Sequence, residues 1–169
     1  MPRGIMYHIT SAPENLGNMS EMDFYENINA LNVDFVQDQS PEDARTSVEQ
    51  LIKKLVDAGF TVSQDKSPDG DPAWRIEGMN EEELLSAKRI FFKSRFEAAK
   101  RTMEKLTLEQ FSTESSELWE VERLMRERAS DMVFFGNENG DLSYTLDGAI
   151  RRFEPDTTYW LAGNTVLLH

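Results

Sequence analysis

A chain of 169 residues with 39% hydrophobic, 10% aromatic and 29% charged residues has the composition of a folded protein, and it is long enough for one ordinary core. The absence of cysteine excludes disulfides, thiolate nucleophiles and cysteine metal sites, while two histidines, His8 and His169, are too few for a histidine-rich metal cage. A formal charge of −13 repels phosphate backbones and anionic lipid, and the apolar runs fall far short of the ~20 residues a membrane helix needs, so neither direct nucleic-acid binding nor a membrane is expected.

Residues 5–10 alternate with β-branched and aromatic side chains and predict a first strand. Ser11-Ala12-Pro13-Glu14 then has the form of a capping box with proline in the first turn, predicting a short helix to about Gly17. Met22, Tyr25, Ile28 and Leu31 sit near helical spacing behind a second cap at Ser20, and 33–37 alternates as a strand. The clearest helix opens at Ser40-Pro41-Glu42-Asp43, where serine can cap and two acids meet the positive end of the dipole. Its stripe is Ala44, Val48, Leu51, Ile52, Leu55 and Val56, and Gly59 stands where a left-handed C-cap belongs.

Residues 60–63 and 74–77 alternate on either side of turn chemistry at 65–72, which describes a β-hairpin. Asn80-Glu81-Glu82-Glu83 caps a long helix whose expected core stripe is Leu85, Phe92, Phe96, Ala99, Met103 and Leu106. A Ser/Thr/Glu-rich break at 107–116 and a resumed stripe at Leu118, Val121, Met125, Ala129 and Met132 complete an αα-hairpin. Strands at 132–135 and 142–146 flank the turn Gly136-Asn137-Glu138-Asn139-Gly140, and a short helix is expected around 149–153. Strands at 158–161 and 165–168 flank Ala162-Gly163-Asn164 as a final hairpin. The expected fold class is α+β, a single domain over 1–169. A mostly antiparallel sheet of β-hairpins is covered by one amphipathic helix and a long αα-hairpin.

The segment Gly70-Asp71-Pro72-Ala73-Trp74-Arg75-Ile76-Glu77-Gly78 lies over Gly140-Asp141-Leu142-Ser143-Tyr144-Thr145-Leu146-Asp147-Gly148 with matching glycines, acids, aromatic and aliphatic positions. It marks a pseudo-repeat of helix-hairpin units, 41–78 and 113–148. Common descent and the shared constraints of such units explain it equally well.

Charge is unevenly placed. Residues 1–40 carry six acids and one base, and 131–169 carry six acids and two bases. Between them Lys88, Arg89, Lys93, Arg95, Lys100, Arg101 and Lys105 face only Glu97 and Glu104, so 88–105 is locally basic. That stripe is either a solvated helix face paired with the chain's own acids or a docking surface for an acidic partner or nucleic-acid backbone, with Lys93 and Arg101 as its test positions.

Three local patterns bear on chemistry. Asp65-Lys66-Ser67-Pro68-Asp69-Gly70-Asp71 spaces oxygen ligands on alternate residues like the start of an EF-hand loop, making Asp65, Ser67, Asp69 and Asp71 candidate calcium ligands; Ile76 stands where the bidentate glutamate belongs, and a solvated hairpin tip has the same composition. Met6-Tyr7-His8-Ile9-Thr10-Ser11 resembles the first strand of ADP-ribosyltransferase-type toxins, in which a histidine followed by Thr or Ser contacts the dinucleotide. The resemblance implies a transferase built around His8 with a late glutamate, for which Glu138 and Glu154 are the available residues. Trp74, Trp119, Trp160 and Tyr144 read as core, although an exposed Tyr159-Trp160 on the last hairpin would make an aromatic partner anchor.

Nucleotide-binding glycine loops, zinc-protease helices and nucleophile elbows are absent from the sequence, and no cofactor is expected. The leading expectation is a non-enzymatic, cytoplasmic interaction protein that binds another protein through its acidic surface, a basic nucleic-acid-binding protein being one candidate partner. In composition it resembles inhibitors from phages and mobile elements that imitate nucleic-acid charge. The alternatives are a small transferase of ADP-ribosyl or nucleotidyl type built around His8 and a binding module using the basic 88–105 helix. Eight methionines leave room for self-association, and the sequence does not give an oligomeric state.

Overall fold

The computed structural model describes residues 4–16, 36–38, 41–66, 68, 70, 72–125, 131–136, 142–143 and 146–168. The expected helix at 20–31, most of the strand at 33–37, Ser67, Asp69, Asp71, the 137–141 tip and Tyr144 lie outside them.

The fold is α+β. Its strands are β1 (Gly4–Thr10), β2 (Val36–Asp38), β3 (Val62–Lys66), β4 (Pro72–Ile76), β5 (Asp131–Gly136), β6 (Leu142–Ser143) and β7 (Tyr159–Leu168). They form one sheet in the order β3-β4-β7-β1-β5-β6, with β2 also on β7. Pairing is antiparallel throughout except between β1 and β5, which run parallel because the chain makes long crossovers before β5 returns beside β1. The β3–β4 hairpin and the β5–β6 pair occupy opposite ends of the sheet.

β7 corrects the expected final hairpin. Instead of turning at Ala162-Gly163-Asn164, the chain continues as one strand. Met6 faces Val166 while His8 faces Ala162, so residues 163–165 sit opposite Tyr7 alone and the extra length is absorbed as a bulge. Residues 159–162 pair with β4, and residues 166–168 pair with β2. The bulge therefore falls where the neighbour on the far edge changes.

Helix α1 (Pro41–Asp57) buries Val48, Leu51 and Leu55 on the sheet-facing stripe, whereas Val56, expected there, is 49% exposed. It ends in a Schellman arrangement: Phe60 N–H donates to the Leu55 carbonyl at 3.0 Å and Gly59 N–H to that of Val56 at 2.9 Å. Gly59 has φ +103°, a left-handed conformation that glycine adopts without a Cβ penalty. Phe60 and Leu55 are both buried in the core, supplying the apolar contact that accompanies this cap.

The long helix α2 (Glu81–Lys105) begins with a reciprocal capping box, in which Asn80 accepts from Glu83 N–H at 2.9 Å and Glu83 accepts from Asn80 N–H at 3.3 Å. Short α3 (Leu108–Phe111) repeats the device with Thr107 and Gln110, and α4 (Ser116–Met125) is capped by Ser115, whose Oγ accepts from Leu118 N–H at 3.1 Å. Helix α4 packs back on α2, forming the expected αα-hairpin.

Only the first turns of α2, through Leu84, Ala87, Phe91 and Phe92, join the main core. Farther along, Ala99 of α2 and Val121 of α4 are buried. The expected stripe is corrected here, because Leu85, Phe96 and Met103 are 47%, 66% and 55% exposed. Ala99 and Val121 are the fully buried side chains of this part of the helix pair, with Leu106, Leu118 and Leu124 half-buried beside them.

Helix α5 (Leu146–Arg152) starts at a residue expected in a strand, because Leu146, Ala149 and Ile150 together form a buried helical face. Lys88 Nζ reaches from α2 to cap its far end, donating to the Arg151 carbonyl at 2.9 Å and the Phe153 carbonyl at 2.8 Å. The core lies between this helical layer and one face of the sheet, where Tyr7, Ile9, Ile76, Tyr159 and Leu161 meet the helices. A smaller cluster of Leu16, Ala73 and Trp160 marks the opposite face. The capping box expected at Ser11 does not form. Residues Pro13–Asn15 make a 3-10 turn without a side-chain cap, and Thr10 Oγ1 instead accepts from Ala12 N–H at 3.1 Å.

Candidate functional site

Among the described residues, the large exposed apolar side chains concentrate on the α2–α4 arm. Leu85, Ile90, Phe96 and Met103 stand out from α2, Leu108 and Phe111 from α3 at the tip, and Trp119 and Met125 from α4. Leu108 is 80% exposed, and Phe111 and Trp119 are each 63% exposed. Single exposed apolar residues are ordinary on a surface, but a run of them along one helical arm is a feature of interaction sites.

Leu85, Phe92, Phe96 and Met103 follow steps of seven, four and seven, which places them on one side of α2. Phe92 anchors this row to the body: it is half-buried, with the Arg95 guanidinium 5.4 Å and the Arg151 guanidinium 4.8 Å from its ring centroid. Beside the row run Arg89, Lys93 and Lys100, all exposed. Arg89, Lys100 and Arg101 have no ion pair among the described residues, and Lys93 is 4.0 Å from Glu97.

The basic stripe thus divides by role. Lys88 caps α5, with burial holding its ammonium pKa below the ordinary lysine value, and Arg95 pairs with Asp147. The other five bases remain at the surface. Trp119, expected in the core, instead lies outside, its ring centroid 6.0 Å from the Arg123 guanidinium, because the inner face of α4 is taken by Val121.

A cleft of about 310 Å³ lies between the end of α1, the middle of α2 and the start of α5. Its polar lining balances Lys54 and Arg95 against Asp57 and Asp147. Asp57 is held by Lys53 at 2.7 Å, and the Arg95–Asp147 pair closes the inner wall. The charges of this cleft are largely satisfied within the protein.

His8 is 4% exposed on β1, and burial lowers its pKa to about 4, so the imidazole is neutral at physiological pH. The transferase resemblance implies a histidine opening into a cleft shared with a late glutamate; His8 is covered, and of the two glutamates only Glu154 is among the described residues. Glu154 is exposed beyond α5, its backbone N–H donating to Tyr159 Oη at 2.9 Å, while Glu138 lies outside the described residues.

Tyr159 is 1% exposed and stacks on Phe153 with centroids 4.3 Å apart, so the proposed aromatic anchor loses this member to the core. Strand alternation explains the division, with Tyr159 facing the helices and Trp160 the other side. Trp160 is half-buried and donates from Nε1 to Asp65 Oδ2 at 3.1 Å. Asp65 Oδ1 accepts from Lys66 N–H at 2.8 Å, and this backbone bond, followed by the indole bond, holds its pKa below the ordinary carboxylate value. The other three calcium candidates, Ser67, Asp69 and Asp71, lie outside the described residues, so only Asp65 of that set has an observed environment.

No known family, curated protein or solved structure matches this chain. The apolar face of the arm was hidden in the sequence because α2 carries two apolar rows. The signal that separates them is size: the row rich in alanine is the one a neighbouring helix can approach.

Proposed function

We propose that this protein acts by binding another protein, and that the α2–α4 arm is the docking face. The observation that supports this reading is the exposure of Phe96, Met103, Leu108, Phe111 and Trp119 on one projecting helical hairpin. Water contact with these side chains is unfavourable by about 25 cal/mol for each Å² of apolar area, and docking relieves that cost. An interaction through acidic surface alone has less support. Glu49, Asp57, Glu77 and Glu120 each spend charge on a neighbouring cation, namely Arg45, Lys53, Arg75 and Arg123.

The test compares proteins retained by the tagged wild type with those retained by Phe96→Ser, Phe111→Ser and, as a control on α1, Val56→Ser. The reading expects a retained protein that both arm variants lose and the control keeps. Retention by all variants alike would remove the arm as the docking face.

A further inference from the structure

The arm selects the chemistry of what binds it. Resting on the docking reading above, we propose that the partner presents an acidic amphipathic α-helix, laid along α2 with its apolar side on Leu85, Phe96 and Met103 and its acids beside Arg89, Lys93 and Lys100. The apolar row from residue 85 to residue 103 extends for about 27 Å at 1.5 Å per residue, long enough to receive about five turns of a helix. The basic row keeps step with it: Arg89 follows Leu85 by four positions and Lys100 follows Phe96 by four, so these two bases lie one turn beyond an apolar anchor, and Lys93 lies one turn beyond Arg89.

Charge decides between the occupants such a row could accept. Between residues 85 and 103 the single acid is Glu97, and Lys93 lies 4.0 Å from it. A second copy docking row on row would oppose Arg89, Lys93 and Lys100 to the same three bases, with Glu97 alone in each copy against them. A basic nucleic-acid-binding protein would meet the same repulsion. An acidic helix brings apolar side chains for the row and counter-charges for its flank, the helix-in-groove mode of recognition with electrostatic selection.

The experiment uses the full chain and a fluorescein-labelled amphipathic peptide of about twenty residues, with leucines at helical spacing and glutamates flanking them. Its twin carries lysines in place of the glutamates. Anisotropy is read at about 50 mM and about 300 mM salt, across which the screening length falls about 2.4-fold.

The proposal expects the glutamate peptide to bind at least about tenfold more tightly than its twin at low salt, with the preference shrinking at high salt. Lys93→Glu combined with Lys100→Glu reverses the preference, and Phe96→Ser weakens the glutamate peptide. Equal binding of the twins, preference for lysine, or no binding of either overturns it. A wild-type dimer in sedimentation that Phe96→Ser dissociates overturns it in favour of a second copy. If Phe96→Ser abolishes binding of both peptides while the charge reversal changes nothing, the acidic assignment falls and the docking face stands. If both peptides bind and neither set of variants alters them, the docking face falls too.

Discussion

Arg95 of α2 and Asp147 of α5 form an ion pair with side-chain exposures of only 19% and 7%, at the point where the helical arm leaves the main core. Asp147 Oδ2 is buried without a well-formed hydrogen bond, so the adjacent guanidinium charge is its principal compensation. Taking one member away strands the other in a poorly solvated place. Asp147→Leu and Arg95→Met are each expected to destabilise the fold by about 3 kcal/mol, and the double variant Arg95→Met/Asp147→Leu by clearly less than the sum. Urea denaturation of the four proteins checks this, and simple additivity would show that the pair does not couple arm to body.

His8 gives the fold a dependence on pH of definite sign. Its pKa falls from the ordinary 6.5 to about 4 because burial penalises the imidazolium. The stabilisation is complete above pH 6.5 and is lost as the pH falls toward 4, since the unfolded chain takes up the proton first. The gap is worth about 3 kcal/mol at most. Melting temperature measured from pH 7.5 to pH 4.5, in about half-unit steps, should fall more steeply for wild type than for His8→Gln. Parallel curves would mean that His8 is hydrated in solution.

Gly59 closes α1 at φ +103°, with open space where a Cβ would stand. The cost of Gly59→Ala is therefore conformational, not steric: alanine is strained in this region whatever the room around it. A loss of about 1 kcal/mol is expected, seen as a lower urea midpoint at unchanged slope. Gly59→Asn, which tolerates left-handed backbone better, should lose less.

The features legible in the sequence are those written by neighbours in the chain. Asn80 with Glu83, Gly59 after an apolar stripe, and the alternation around Trp74 each describe a local hydrogen-bonding or facing requirement, and the structure contains the cap, the C-terminus and the strand they imply. What escaped was set by partners distant in sequence. Tyr159 and Trp160 are adjacent, and only the sheet's neighbours determine that one enters the core while the other bonds Asp65. Ala162-Gly163-Asn164 has turn composition, yet β4 and β2 claim successive parts of the same strand and the chain bulges there without reversing. The docking face failed to show for the same reason, because the identity of the inward row of α2 depends on α4.

Phe96 and Ala99 put that last point to measurement. They are three residues apart on α2, and Phe96 is 66% exposed while Ala99 is 3% exposed. If the large row were the packed one, Phe96→Ser would cost several kcal/mol by opening a cavity. With Phe96 outside, the change should stay within about 0.5 kcal/mol. Ala99→Leu should instead cost about 1–3 kcal/mol by overfilling the approach of α4. Thermal melts of the two variants decide between these arrangements, and a stable Ala99→Leu beside an unstable Phe96→Ser would invert the arm and remove its docking face.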